Sequence, residues 1–182
     1  MRVIAGIRRG FRLFVTKSSA TRPTTDSTKE FIFNVAASSF EGCVVLDLFA
    51  GTGSLGIEAL SRGAAKAVFV ESSRDACKVL IQNLKKCKFE SLAEVVVAPA
   101  DRAVKILGRR NETFDFIFAD PPYDSNLAVK TMEWVNMFQL LKKDGLLTVE
   151  HRDAIDFDNS ALSLVRSKKK GDTTVSFYAH GN

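Results

Sequence analysis

Apolar residues in this chain come in short unbroken runs separated by stretches of helical spacing. Val44-Val45-Leu46-Asp47-Leu48, Ala67-Val68-Phe69-Val70-Glu71, Glu94 to Val97, Phe114 to Ala119 and Leu146 to Glu150 read as strands. Runs that do not alternate apolar with polar residues are buried on both faces, as in parallel sheets. Between them, apolar positions recur at helical spacing. Ala76, Val79, Leu80, Leu84 and Cys87 share a helix with Asn83, and Leu127, Thr131, Trp134, Val135, Phe138 and Leu141 mark another. A helix through about Ser61 and a short one at 101–108 complete the alternation, and 162–166 and 173–178 read as the last two strands. The pattern predicts an α/β fold, a doubly wound Rossmann-like sheet. At the front, 2–5 and 11–15 read as a small β-hairpin with Gly6 and Gly10 bracketing the turn. A polar loop follows to residue 26. Ser27-Thr28-Lys29-Glu30 has the form of a capping box and opens a helix that Glu41-Gly42 ends.

A length of 182 residues suits one domain with an extension, so 1–26 is read as an N-terminal arm and 27–182 as the main domain. With 46% hydrophobic and 26% charged residues the composition is that of a globular protein. No apolar stretch nears the ~20 residues that span a bilayer. Arg8, Arg9 and Arg12 interrupt any signal-peptide core, so a cytoplasmic chain with no membrane partner is expected. Cys43, Cys77 and Cys87 are odd in number and form no CxxC pair, which argues against a disulfide framework or a metal site. The net charge of +5 resides in residues 1–30, with Arg2, Arg8, Arg9, Arg12, Lys17, Arg22 and Lys29 against Asp26 and Glu30. A basic front end on a neutral body suits a polyanionic partner, and equally a merely solvated terminus. Lys168-Lys169-Lys170 and Asp156–Asp158 read as solvated faces.

Gly51-Thr52-Gly53-Ser54-Leu55-Gly56 satisfies GxGxxG between a strand and a helix. That pattern also suits a nicotinamide or flavin dinucleotide, or only a tight turn. Asp47 stands four residues before Gly51 and would repel a pyrophosphate resting there. An ammonium or sulfonium would be attracted, and S-adenosylmethionine carries both and no phosphate. Glu71, at the end of the second strand, is placed to accept two ribose hydroxyls. Asp101, after Ala98-Pro99-Ala100, is either an acceptor for an adenine amino group or a helix N-cap, and the two roles are compatible.

Asp120-Pro121-Pro122-Tyr123 ends the fourth strand. A residue before proline is pushed toward extended backbone, and here two in succession are so constrained. Such a stiff turn can hold the Asp120 carboxylate and the Pro121 carbonyl as two fixed acceptors for the N–H donors of an exocyclic amino group. Drawing those hydrogens aside lets the nitrogen become tetrahedral and aim its lone pair at a methyl donor. Tyr123 offers a face for the base, a contact worth ~1–3 kcal/mol in single-stranded complexes.

These residues resemble those of the amino-methylating, S-adenosylmethionine-dependent methyltransferases, and more closely the RsmD-type 16S ribosomal RNA guanine-N2 methyltransferases. The matching stretches are MRVIAG with Arg9-Gly10, RPTTD at 22–26 with Lys29-Glu30, LDLFAGTGSLGIEALSRGA at 46–64, FADPPY at 118–123, VE at 149–150 and GDTTVSFY at 171–178. Ser27-Thr28-Lys29-Glu30 stands where the family carries further arginine, and Lys170 where it carries tyrosine. The resemblance implies a seven-stranded methyltransferase sheet with its last strand antiparallel and an N-terminal hairpin against RNA. It implies target-base residues Asp120, Pro121, Pro122 and Tyr123. It implies a cofactor pocket of Asp47, Phe49, Gly51, Gly53, Glu71, Ser72, Asp101 and Arg102, with Arg22 and Thr24 near it, and RNA contacts at Arg8, Arg9, Arg12 and Arg22. The implied partner is 16S rRNA within the small ribosomal subunit. Three other functions remain open on the residues alone: a DNA adenine-N6 or cytosine-N4 methyltransferase, an NAD-dependent oxidoreductase, and a non-catalytic RNA-binding module.

Overall fold

A computed structural model describes residues 1–16, 26–36, 40–122, 125–152 and 161–181. In chain order the elements are α1 (Asp26–Ala36), β1 (Val44–Asp47), α2 (Ser54–Ser61), β2 (Lys66–Glu71), α3 (Arg74–Cys87), β3 (Ala93–Val97), α4 (Ala100–Arg109), β4 (Phe114–Ala119), α5 (Ser125–Met137), β5 (Leu141–His151), β6 (Leu162–Lys170) and β7 (Thr173–His180). The strands form one sheet in the order β3-β2-β1-β4-β5-β7-β6. β1 to β5 run parallel, and β7 is antiparallel to both β5 and β6. This is the Rossmann-like methyltransferase sheet expected from the sequence, with its last strand reversed. Because β7 reverses twice over, β6 points the same way as β5 and β1.

The apolar runs explain both layers. Alternate residues of each strand face opposite sides. Val45, Phe69, Phe116, Phe118 and Phe177 pack under Phe31, Ile32, Phe33 and Ile57 on one side. Leu46, Val68, Ile117, Leu147 and Tyr178 pack under Val104, Leu107, Met132 and Val135 on the other. Aromatic pairs thicken the first layer: Phe40 lies 4.5 Å from Phe116 and Phe33 lies 5.4 Å from Phe118, between ring centroids.

Several boundaries differ from the sequence expectation. α1 already includes Asp26 and Ser27, so Ser27 sits inside the first turn instead of capping it. β5 starts at Leu141, not 146, because a register shift between Phe114 and Phe116 takes up the extra residues of the Lys142–Gly145 stretch. The N-terminal hairpin is shorter than 2–5 with 11–15. Arg2 pairs with Arg12, Val3 N–H donates to Phe11 O at 2.9 Å and Leu13 N–H to Met1 O at 3.1 Å. Pairing stops at Ile4 because the amides of Ile4 and Ala5 donate to the Glu58 carboxylate instead, at 2.8 and 2.9 Å. Gly6–Arg8 then form a single 3-10 turn. Gly6 is required there: its φ is +77°, and a Cβ would lie 1.7 Å from Ser61 O.

The arm is a wall of the domain. Val3 and Leu13 belong to the same apolar cluster as α1, α2 and α3. All eight residues of α2 are buried, sheet on one side and arm on the other.

Candidate active site

The loop after β1 and the first turn of α2 carry three glycines with two different duties. Gly51 (φ +54°) faces open space, with nothing within 4 Å of where a Cβ would stand. Gly53 (φ +88°) would drive a Cβ to 2.3 Å from Leu80, and Gly56 would drive one to 2.2 Å from Phe69. The last two therefore serve close packing, and the first leaves the loop's outer face accessible to a ligand. Gly53 is also the N-cap of α2 and has no side chain to cap with. Asp47 supplies the missing acceptor from the neighbouring strand: its Oδ2 accepts from Gly56 N–H at 2.9 Å. A carboxylate there also suits the positive end of the helix. Glu71 fastens the same loop from the other side. Its Oε2 accepts from Gly51 N–H at 2.8 Å and its Oε1 from Ser73 N–H at 2.6 Å. Each oxygen keeps a second lone pair for a ligand hydroxyl.

The strand register gathers the acids on one rim. Asp47 pairs across β1 with Phe69 on β2 and with Phe118 on β4, so Glu71 and Asp120 flank it two residues further along. Ala119 pairs with Val149, which sets Glu150 beside Asp120. No cation neutralises the pair at the centre: among the described residues neither Asp47 nor Asp120 has an ion-pair partner. Asp47 is 3% exposed. Burial pushes its carboxyl up to about 7, helped by Glu71 and opposed by the Gly56 hydrogen bond. Burial, then Glu150, then Asp47 hold the Asp120 carboxyl well above the ordinary carboxylate range. Carboxylates crowded without a counter-charge favour a cationic ligand.

Pro121 is buried and Pro122 exposed, so the turn presents one edge to solvent. Half-buried Phe49 follows β1, and exposed Ser72 follows β2. Asp101 and Arg102 lie in the first turn of α4, whose N-cap is Pro99; Asp101 is thus not the cap. Tyr123, Arg22 and Thr24 lie outside the described residues.

Among the described residues, Arg8 and Arg9 at the arm's turn are not gathered with this site. Arg8 is half-buried; its Nε donates to Cys87 O at 2.6 Å and its guanidinium lies 5.5 Å from the centre of the Phe89 ring. Cys87 ends α3, and Ser61, which accepts from Arg8 N–H at 3.0 Å, ends α2. Both helices start at the carboxyl ends of strands, so the arm's turn sits at the opposite end of the sheet from Asp120. Arg8 is thereby engaged within the chain, whereas Arg9 and Arg12 are exposed.

Three polar residues to which the sequence assigns no site role hold the arm and loop together. Lys29 and Glu58, both fully buried, form an ion pair at 3.0 Å of which the sequence held no sign. Lys29 Nζ also donates to Arg2 O at 2.8 Å, and Arg62 Nε reaches Glu58 Oε1 at 3.0 Å. Asn83 accepts from Phe14 N–H at 2.7 Å and donates to Phe14 O and Thr52 O at 3.0 and 2.9 Å, tying arm to glycine loop. A polar residue at an apolar helical position was the available signal for Asn83 and for Glu58.

Among the described residues no group of three or more His, Cys, Asp or Glu is placed to hold a metal ion, and no helix is long and apolar enough to cross a membrane. Comparison with known proteins gives one consistent result. Residues 1–179 match the family model described as Conserved hypothetical protein 95. The Bacillus subtilis protein YlbH is 38% identical over 180 residues, 98% of each chain. Ribosomal RNA small subunit methyltransferase D of Haemophilus influenzae is 34% identical over 179 residues, 98% of this chain and 93% of that one. The solved structure of the Escherichia coli protein yhhF superposes with a TM-score of 0.87 at 30% identity, covering 100% of this chain and 98% of that one.

Proposed function

The chain belongs to the RsmD-like family of small-subunit ribosomal RNA methyltransferases, and from that premise we propose that it methylates the exocyclic N2 amino group of a guanine in 16S rRNA, in the cytoplasm, using S-adenosylmethionine. The observation that carries the reading is the uncompensated acid pair Asp47 and Asp120 on one rim, beside a glycine loop with an open face.

The residues present fit that donor. Asp47 and Glu71 offer acceptors on either side of Gly51, whose bare Cα lets a ligand approach the backbone. Gly53 holds the turn that makes the approach possible, and Asp101 and Arg102 border the rim from α4, with Phe49 and Ser72 at the strand ends. S-adenosylmethionine supplies a methyl group on a positively charged sulfur, which leaves as a neutral thioether.

The chain's own work is to position the acceptor nitrogen. Asp120 accepts one N–H of the amino group and the Pro121 carbonyl accepts the other, which turns the nitrogen lone pair out of conjugation with the ring. Fixed acceptors cost no reorganisation at the moment of reaction, the usual source of large electrostatic catalysis. Asp120, which holds one N–H of the amino group, is also where the proton released by the methylated nitrogen can go.

Asp120→Ala tests this directly. Labelled methyl transfer to small-subunit RNA should fall by about 10²–10³, the loss typical of removing one preorganised transition-state contact. Calorimetric affinity for S-adenosylmethionine should stay within a few-fold. Undiminished transfer would remove Asp120 from the role, and mass mapping of the modified RNA would show whether the product is N2-methylguanine.

A further inference from the structure

The arm's turn lies at the wrong end of the sheet to grip RNA beside the reacting base, which leaves open what holds the backbone near Asp120. The register of the last strands supplies a candidate. β6 runs Leu162–Lys170 with no acidic residue, and its end is Arg166-Ser167-Lys168-Lys169-Lys170. Lys168 pairs with Val175 on β7, and Val175 pairs with Glu150 on β5. Lys169 likewise stands level with His151 through Thr174. Glu150 neighbours Asp120, so the basic end of β6 is level with the catalytic turn and three strand steps away. At ~4.8 Å per step that is about 14 Å.

Position is joined by freedom and orientation. Residues 163–169 are all exposed, and β6 is the open edge of the sheet. Arg166, Lys168 and Lys169 have no ion pair among the described residues. Arg166 and Lys168 share one face of the strand and both stack on Phe31, at 5.6 and 5.2 Å from the ring centre. Phe31 itself packs edge-on against Phe177 at 5.6 Å, so the platform under the two cations is rigid. Cations held by an aromatic face keep their charge available and lose little freedom on binding a phosphate.

We propose that Arg166 and Lys168, with Lys169 projecting from the other face of the same edge, form a phosphate-binding strip on β6 that holds the backbone of the substrate RNA alongside the Asp120 turn. The inference rests on the reading of the substrate as ribosomal RNA. It assigns the strip to affinity and register on the RNA, not to the methyl transfer step. Lysines on an open edge also discourage strand-to-strand aggregation, and the experiment separates the two roles.

The test is Lys168→Gln with Lys169→Gln, which leaves Arg166 on Phe31. Binding of full-length small-subunit rRNA is measured from about 50 to 300 mM KCl, with light scattering alongside. Each lost phosphate contact removes about 0.7–0.9 from the slope of log affinity against log salt, so the slope should become shallower by about 1.4–1.8. Affinity near 100 mM should drop by roughly 25- to 60-fold on the same account, with S-adenosylmethionine affinity unchanged. An unchanged slope, with or without new self-association, would overturn the proposal and leave the lysines as edge protection. The binding readout does not require catalysis: a wild-type protein that binds RNA through the strip but transfers no methyl refutes the proposed reaction and leaves the strip standing.

Discussion

Beneath the N-terminal arm, buried charge is answered by opposite charge; at the catalytic rim it is not. Glu58 has Lys29, Arg62 and two backbone amides around a fully buried carboxylate. Asp47, almost as deeply buried, has one amide and two acidic neighbours on its rim. Glu58 belongs to α2 and Asp47 accepts from an amide in its first turn; the two acids are eleven residues apart in the chain. A protein that pairs one so completely has no general difficulty in pairing the other. The contrast separates an acid kept for structure from an acid left to meet a cationic ligand.

Breaking the paired side should produce the largest change. Lys29→Met leaves Glu58 buried without its ammonium partner and frees Arg2 O. Removing one partner of a buried pair typically costs about 3–5 kcal/mol, to be read by urea unfolding. The arm should also detach, since Ile4 and Ala5 depend on the same carboxylate. A loss under about 1 kcal/mol would mean that Arg62 and the amides suffice and that the pairing is incidental.

Relieving the unpaired side should act in the opposite direction. The folded-state value of Asp47 is raised to about 7 from 3.8, so the folded chain holds the proton more tightly than the unfolded one. Stability of the ligand-free protein therefore falls as pH rises from about 4 to about 7. Asp47→Asn removes that fall. Between about pH 4 and about pH 8 the balance should shift toward the variant by on the order of 4 kcal/mol, taking ~1.4 kcal/mol per pK unit. Affinity for S-adenosylmethionine should tighten with pH through about 7 in the wild type and less steeply in the variant, which keeps the raised Asp120 carboxyl. Parallel stability curves for the two proteins would show that Asp47 carries no unrelieved charge.

How much of this was legible in the sequence follows the same division. The rim could be read because its chemistry is local. A glycine loop after an apolar run, an acid at each strand end and two consecutive prolines are contiguous signals, and β-register brings them together without further information. The arm could not be read so well, because its logic is tertiary. Glu58 looks like an ordinary helical glutamate and Lys29 like an intervening position of a capping box; their pairing joins positions 29 residues apart. Arg8 looks like its neighbours Arg9 and Arg12, yet only Arg8 reaches Cys87 O, 79 residues away. The lysines at the end of β6 read as a solvated face because their level with Asp120 depends on the insertion of β7 between β5 and β6. Tyr123, Arg22 and Thr24 stay as expectations from the motif, being outside the described residues.

The smallest expected effect sharpens the comparison along its length. Arg9 and Arg12 are exposed, but Arg9 adjoins the turn that contacts the far end of α3. α3 has 14 residues, so about 21 Å at ~1.5 Å per residue separates that turn from the rim. RNA large enough to cover the domain can touch both places, but the two contacts share no side chain. Arg9→Gln with Arg12→Gln should therefore lower affinity for small-subunit rRNA only a few-fold and flatten its salt slope by at most about 1.4–1.8. Arg8 is left alone in this variant, since its loss would unpin the arm. Combined with the two β6 substitutions, the effects should add to within about 0.3–0.5 kcal/mol, as for sites beyond ~10 Å with no common partner. A coupling well above that limit would place arm and strip on the same segment of RNA, and the arm's turn would then have to reach the catalytic end of the sheet.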